Sequence, residues 1–138
     1  MYKAIQEIQT AFDKHNLKYT TKQLGDKWVL QLKMGGKKGE YEFLFIKSDD
    51  SGNDVALRIF RVENFSPANR AKGFALVTEL QNKYRYIRFA IDDDGDLNVS
   101  YDFPLMIEGI GDAALEMMLR ITQILDESRP ALVRASWD

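Results

Sequence analysis

The sequence predicts an α+β domain in which one antiparallel sheet carries helices, in the order α-β-β-β-β-α-β-β-α. The strongest sign is the stretch from Tyr84 to Leu105, YRYIRFAIDDDGDLNVSYDFPL, two extended runs facing each other across a turn of aspartates and one glycine. On the second run Leu97, Val99, Tyr101 and Phe103 alternate with Asn98, Ser100 and Asp102, the period-2 pattern of a strand with one wet and one dry face. On the first run Ile87, Phe89 and Ile91 share one parity, with Tyr84, Tyr86 and Arg88 on the other, so the dry sides of both runs align over one core. A second sign is that four strand-like runs precede this hairpin, and a third is that helical periodicity occurs before, between and after them.

The first helix spans Met1 to His15, with Ile5, Ile8 and Phe12 on one face and Lys3, Glu7, Thr10 and Lys14 on the other. Asn16 suits a left-handed terminator, after which Leu17, Tyr19 and Thr21 alternate as a first strand. Gly25 and Asp26 turn the chain into a second strand carrying Trp28, Leu30, Leu32 and Met34, and the run from Gly35 to Glu40 is a flexible hairpin loop tipped by two lysines. The third strand, Tyr41 to Lys47, is apolar on both parities after Glu42, which places it centrally or under two covers. A polar loop from Ser48 to Asp54 leads to a fourth strand, Val55 to Val62.

Ser66 followed by Pro67 marks a helix start: the hydroxyl can cap free amides, and the ring tolerates the first helical position. This helix is expected to turn Phe74, Val77 and Leu80 toward the sheet and to end near Lys83. Ala71, Ala75 and Thr78 then cluster on its back as a smooth strip, read either as plain helix-favouring alanine or as a partner surface. After Gly109 to Gly111 a third helix presents Leu115, Met117, Met118, Leu119, Ile121, Ile124 and Leu125 over about 220° of its circumference. One sheet face cannot cover that band, so its surplus must meet the first helix, the C-terminal tail or another subunit. Met117 and Ile124 join Ala71, Ala75 and Thr78 as candidate partner or dimer contacts. Pro130 is expected to break or kink the helix, and Trp137 to pack back on its own domain.

A chain of 138 residues makes one ordinary domain, so a second core is not expected and residues 1–138 form a single unit. With 19 basic and 21 acidic residues, the overall charge gives no pull toward nucleic acid or anionic membranes. The absence of cysteine excludes disulfides, thiolate nucleophiles, Fe–S clusters and thiolate zinc sites, and argues for a cytoplasmic home. The N-terminal residues lack the continuous apolar core of a signal peptide, and no apolar run approaches the ~20 residues of a membrane span, so a soluble, unexported protein is expected.

The search for chemistry finds little. Asp92-Asp93-Asp94-Gly95-Asp96 invites a calcium reading, but with Gly95 as the loop glycine Ala90 falls where the first ligand belongs and Tyr101 where the closing glutamate belongs. A hairpin turn is the better reading. The loop from Asp49 to Asp54 fails similarly. His15, the one histidine, suits the dipole at its helix end. No Gly-x-Ser-x-Gly elbow occurs, and Gly35-Gly36-Lys37-Lys38-Gly39 lacks the hydroxyl and helix start of a phosphate loop. An enzyme, a cofactor and a metal are therefore not expected. A carboxylate metal enzyme would need at least three oxygens from Asp92 to Asp96 and other loops to converge. The alternative of single-stranded nucleic-acid binding rests on Tyr84, Arg85, Tyr86 and Arg88, cations interleaved with stacking surfaces on a strand.

The stretch LQNKYRYIRFAIDDDGDLNVSYDFPL, Leu80 to Leu105, resembles the YbjN-type family of bacterial proteins, the bacterial sensory transduction regulators, in its Asn82, its acidic-Gly turn and its Pro-containing exit. The run from Ala113 through Pro130-Ala131-Leu132 resembles the same family's last helix. Through that family the chain is similar to the class I type III secretion chaperones. The resemblance implies an α+β domain with an antiparallel sheet, commonly a homodimer without established enzymatic activity; in the chaperones the dimer offers apolar patches to an extended protein segment. The expectation is a non-enzymatic, chaperone-like or regulatory module, homodimeric as the resemblance implies, that binds a protein partner.

Overall fold

The computed structural model describes residues 1–49, 55–104 and 109–137. Its elements run α1 (Lys3–Lys14), β1 (Thr20–Leu24), β2 (Lys27–Gly35), β3 (Glu40–Lys47), β4 (Val55–Asn64), a 3-10 turn (Pro67–Asn69), α2 (Arg70–Lys83), β5 (Arg88–Ile91), β6 (Asp96–Phe103) and α3 (Ile110–Trp137). The expected order of elements is therefore present. The strands form one six-stranded sheet, β1-β2-β3-β4-β6-β5, in which each neighbouring pair is antiparallel.

Partners in an antiparallel ladder share a face, so the register sorts the side chains. Leu30, Phe45 and Leu57 lie in one row and are fully buried, as are Phe43, Val99 and Leu97 on the same face. All three helices pack on that face. Phe12 of α1 meets Phe45 edge-on, with ring centroids 5.7 Å apart, and Gly73 of α2 approaches Ile91. The opposite face, with Val29, Leu44, Ile46, Ala56, Arg58 and Ser100, carries none of the described helices. β3 is central, flanked by β2 and β4, but covered on one side; Leu44 and Ile46 are half-buried for that reason.

The band on α3 is absorbed within the chain. Ala114, Met118, Ile121, Leu125 and Leu132 are fully buried, and α1 and α2 both pack along α3. Met117 and Ile124 are also buried, at 9% and 5% exposure, which corrects the expectation that they reach a partner. Leu119 alone of the predicted band stays largely open. Close helix approach makes this possible. A Cβ on Gly111 would lie 2.6 Å from the Glu7 carbonyl oxygen and 2.7 Å from Ala11 Cβ, so only glycine lets α1 and α3 meet this closely.

Other expectations need correcting. Phe74 does not face the sheet: it is 53% exposed, while Gly73 and Leu80 are buried. The reason is space, since a Cβ on Gly73 would stand 2.9 Å from both Phe65 Cγ and Ile91 Cδ1, and the helix presents its smallest residue there. α3 runs through Pro130 to Trp137, losing the amide that would bond the Asp126 carbonyl but anchored by Arg129 Nη1, which donates to the Val62 carbonyl at 3.2 Å. Trp137 is 81% exposed and does not pack back. β1 starts at Thr20 because Leu17 N–H still bonds the Phe12 carbonyl, closing the end of α1. β5 starts at Arg88, not Tyr84. Ser66 occupies the N-terminal cap position without a side-chain cap bond. Asn16, at φ 57°, is the left-handed stop expected of it. The polar loop from residue 50 to 54 lies outside the described residues, as does the exit from 105 to 108.

The β2–β3 loop is held by α3. Asp126 accepts hydrogen bonds from the amides of Lys37 (2.7 Å) and Lys38 (3.1 Å) and from the Tyr41 hydroxyl (2.9 Å). Gly36 makes room for the carboxylate: a Cβ there would be 2.6 Å from Asp126 Oδ1. Partial burial would raise the pKa of Asp126, but the Lys37 and Lys38 amides and Tyr41 outweigh it and hold the carboxyl below its usual range. Burial, then the bond to Asp126, pushes Tyr41 up to about 12.

Two outcomes follow. Gly111→Ala should lower unfolding free energy by about 2 kcal/mol through overpacking at the α1–α3 seam, read by urea denaturation; an unchanged midpoint would show that the seam relaxes freely. Asp126→Ala should cost roughly 2 kcal/mol near neutral pH, the loss of three bonds to a charged acceptor. Because the folded-state pKa of Asp126 is depressed, its contribution is present above the unfolded carboxyl pKa of ~4 and lost as pH falls through the folded value, so wild type and variant should converge in acid.

Candidate functional site

Three places gather the residues singled out in the sequence. The first is the acidic turn. Gly95 takes φ 83°, its N–H bonds the Asp92 carbonyl at 3.0 Å, and its own carbonyl accepts from Phe65 N–H at 2.8 Å. This is the hairpin turn expected of Asp-Gly. Asp92, Asp94 and Asp96 do bring carboxylate oxygens within 4.8 Å of one another, the convergence a cation site requires, with no carboxylate from another loop joining among the described residues. The carboxylates of Asp92 and Asp96 already serve the turn. Asp92 Oδ1 accepts from the amides of Asp94 and Asp96, both at 3.0 Å, and Oδ2 from Asn98 Nδ2 at 3.1 Å. Those bonds, Asn98 first, lower the Asp92 pKa. Asp96 accepts from Asn64 Nδ2 at 2.9 Å and faces Arg61 Nε at 3.2 Å.

Arg61 reaches Asp96 because β4 bulges. Between the pairs Ile59↔Val99 and Glu63↔Leu97, residues 60–62 stand against Asn98, and Arg61 adopts φ 57° while its N–H donates to Asn98 Oδ1 at 3.0 Å. Asp92 and Asp96 pin the bulge and the turn together, and the Gly95 carbonyl ties the turn to Phe65. The alternation of the sequence carried no sign of this bulge.

The second place is the segment from Tyr84 to Arg88. The structure separates the residues that the nucleic-acid reading places on one strand. Residues 84–87 precede β5, and the Tyr84 hydroxyl donates to Glu127 Oε2 at 2.8 Å, its ring lying 6.3 Å from Phe89. Burial, then that bond, raises the Tyr84 pKa. Tyr84 is thus tied to α3, while Tyr86 is 47% exposed. Gln81 replaces a missing strand partner, bonding both the Phe89 N–H (3.3 Å) and carbonyl (3.0 Å). That device is visible only once α2 and β5 are side by side.

The third place is the outer surface of α2. Ala71, Ala75 and Thr78 are exposed, as the helical wheel predicts, and the outward turn of Phe74 puts an aromatic ring in their midst. Ala71, Phe74, Ala75 and Thr78 stand at i, i+3, i+4 and i+7, a continuous solvent-facing stripe. Sequence reasoning found the small residues and assigned their aromatic neighbour to the wrong side. No helix among the described residues is long and apolar enough to cross a membrane.

Comparison with known proteins agrees with this architecture. The crystal structure of YbjN from E. coli, described as "a putative transcription regulator", matches with a TM-score of 0.60 and 11% identity over 92% of each chain, a likeness of fold. No curated protein matches the chain. The YbjN family, described as "Putative bacterial sensory transduction regulator", matches residues 4–132. The chain belongs to the YbjN family.

Proposed function

We propose that this protein is a non-enzymatic interaction module that acts as a homodimer and binds a protein segment. The observation that carries the reading is the stripe Ala71, Phe74, Ala75 and Thr78 on α2. A half-exposed phenyl ring flanked by two alanines is self-complementary. In a two-fold pairing of α2 with its copy, each Phe74 can seat on the small residues of its mate, and the same patch serves both chains. Aromatic side chains are enriched at the centre of such contacts.

The helix-free sheet face supports the second half of the reading. Leu24 is 55% exposed at its rim, and Leu44 and Ile46 are half-buried beside it, leaving apolar surface for an extended segment. The carboxylates of Asp92, Asp96 and Asp126 are engaged in holding turns and loops. That leaves contact as the better account of this protein's activity.

Sedimentation equilibrium should give twice the chain mass of 15.9 kDa. Phe74→Glu should weaken association by about 30-fold, the consequence of losing roughly 2 kcal/mol at an aromatic anchor, while leaving the unfolding midpoint of the monomer unchanged. A monomeric wild type at high concentration, or a variant as dimeric as wild type, would remove the reading.

A further inference from the structure

Beyond dimerisation, and on residues separate from the α2 stripe, the outer face ends in a cationic pit at the sheet edge. The ladder places Arg58, Ser100 and Arg88 in one cross-strand row over β4, β6 and β5. Arg85, from the segment before β5, joins them around a cavity of about 400 Å³, whose wall also includes Tyr86.

The charge balance of this pit is one-sided. Arg58 is held in place, its Nη1 donating to Asp102 Oδ1 at 2.7 Å and to the Leu57 carbonyl at 2.9 Å. Asp102 is the one carboxylate among the residues lining the cavity, against three guanidinium groups. Among the described residues, neither Arg85 nor Arg88 is engaged in an ion pair or a hydrogen bond through its side chain. Two uncompensated guanidinium groups beside a hydroxyl, in a protein whose overall charge is −2, form a local anion site and not a reflection of global charge.

We propose that this pit binds a small phosphomonoester. Arg85 and Arg88 supply forked N–H donors matched to phosphoryl oxygens, and the Ser100 hydroxyl supplies a neutral donor between Arg58 and Arg88. Arg58, neutralised by Asp102, shapes the floor. The pit is wider than a phosphoryl group, and Tyr86 offers a ring face for the rest of the ligand. Tyr86 is 47% exposed, so its ring is open to such a ligand.

The test is an amide NMR titration of the full chain with inorganic phosphate and, separately, AMP, at constant ionic strength set by chloride. Saturable shifts confined to Arg85, Arg88, Ser100 and their neighbours are expected, with AMP at least as tight as phosphate. Arg85→Ala/Arg88→Ala should weaken binding by about tenfold or more, equivalent to at least one 1.4 kcal/mol step, with the remaining amide spectrum unchanged. Lys37→Ala/Lys38→Ala should leave it intact. Shifts that never saturate, that centre on Lys37 and Lys38, or that persist in the double arginine variant would overturn the proposal. So would a short single-stranded oligonucleotide shifting these amides while phosphate and AMP do not, which would assign the pit to nucleic acid.

Discussion

The structure depends on the near-contact of two helices over one side of a sheet. At Gly111 the backbone of α3 comes within reach of the Glu7 carbonyl and the Ala11 methyl of α1, closer than a side chain would allow. That approach lets the wide apolar surface of α3 be shared between the sheet and α1, with α2 closing the far side. An isolated helix with such a band would be insoluble or obligately paired. Here Met117, Ile124 and their neighbours are covered without help from another chain.

Placing every described helix on one side leaves the other face of the sheet open. The other face of the sheet keeps apolar side chains on β2 and β3 and arginines on β4 and β5, so it is chemically divided along its width. α2, at the edge of the helical layer, buries a glycine and turns a phenylalanine outward. Both surfaces are shaped by the core: the pleat decides which strand residues point out, and the small volume at Gly73 decides which way Phe74 points. The surfaces proposed for recognition are thus presented by rigid elements, while Asp92, Asp96 and Asp126 maintain loop geometry.

Much of the fold was legible in the sequence because periodicity reports burial directly. The alternation of Leu97, Val99 and Phe103, the helical spacing of Ile5, Ile8 and Phe12, and the Asp-Gly turn each had a local cause that the structure reproduces. The parts that were not legible have non-local causes. Phe74 reads as a core residue until Phe65 and Ile91 occupy the space in front of Gly73. Tyr84 and Tyr86 read as strand until Glu127, more than 40 residues away, draws the first hydroxyl toward α3. Pro130 reads as a break or a kink, and α3 continues as helix beyond it to Trp137. The candidate surface was half legible: Ala71, Ala75 and Thr78 stood out as a strip, but the ring at its centre and the arginine row across β4, β6 and β5 required the register.

The proposed pairing of two copies of this chain through α2 is tested by an isotope-filtered NOE experiment on a mixture of labelled and unlabelled protein. Intermolecular cross-peaks from the Phe74 ring to the methyl groups of Ala71 and Ala75 are expected. Absence of any such cross-peak, together with a Phe74 ring fully accessible to a soluble paramagnetic probe at high protein concentration, would contradict it.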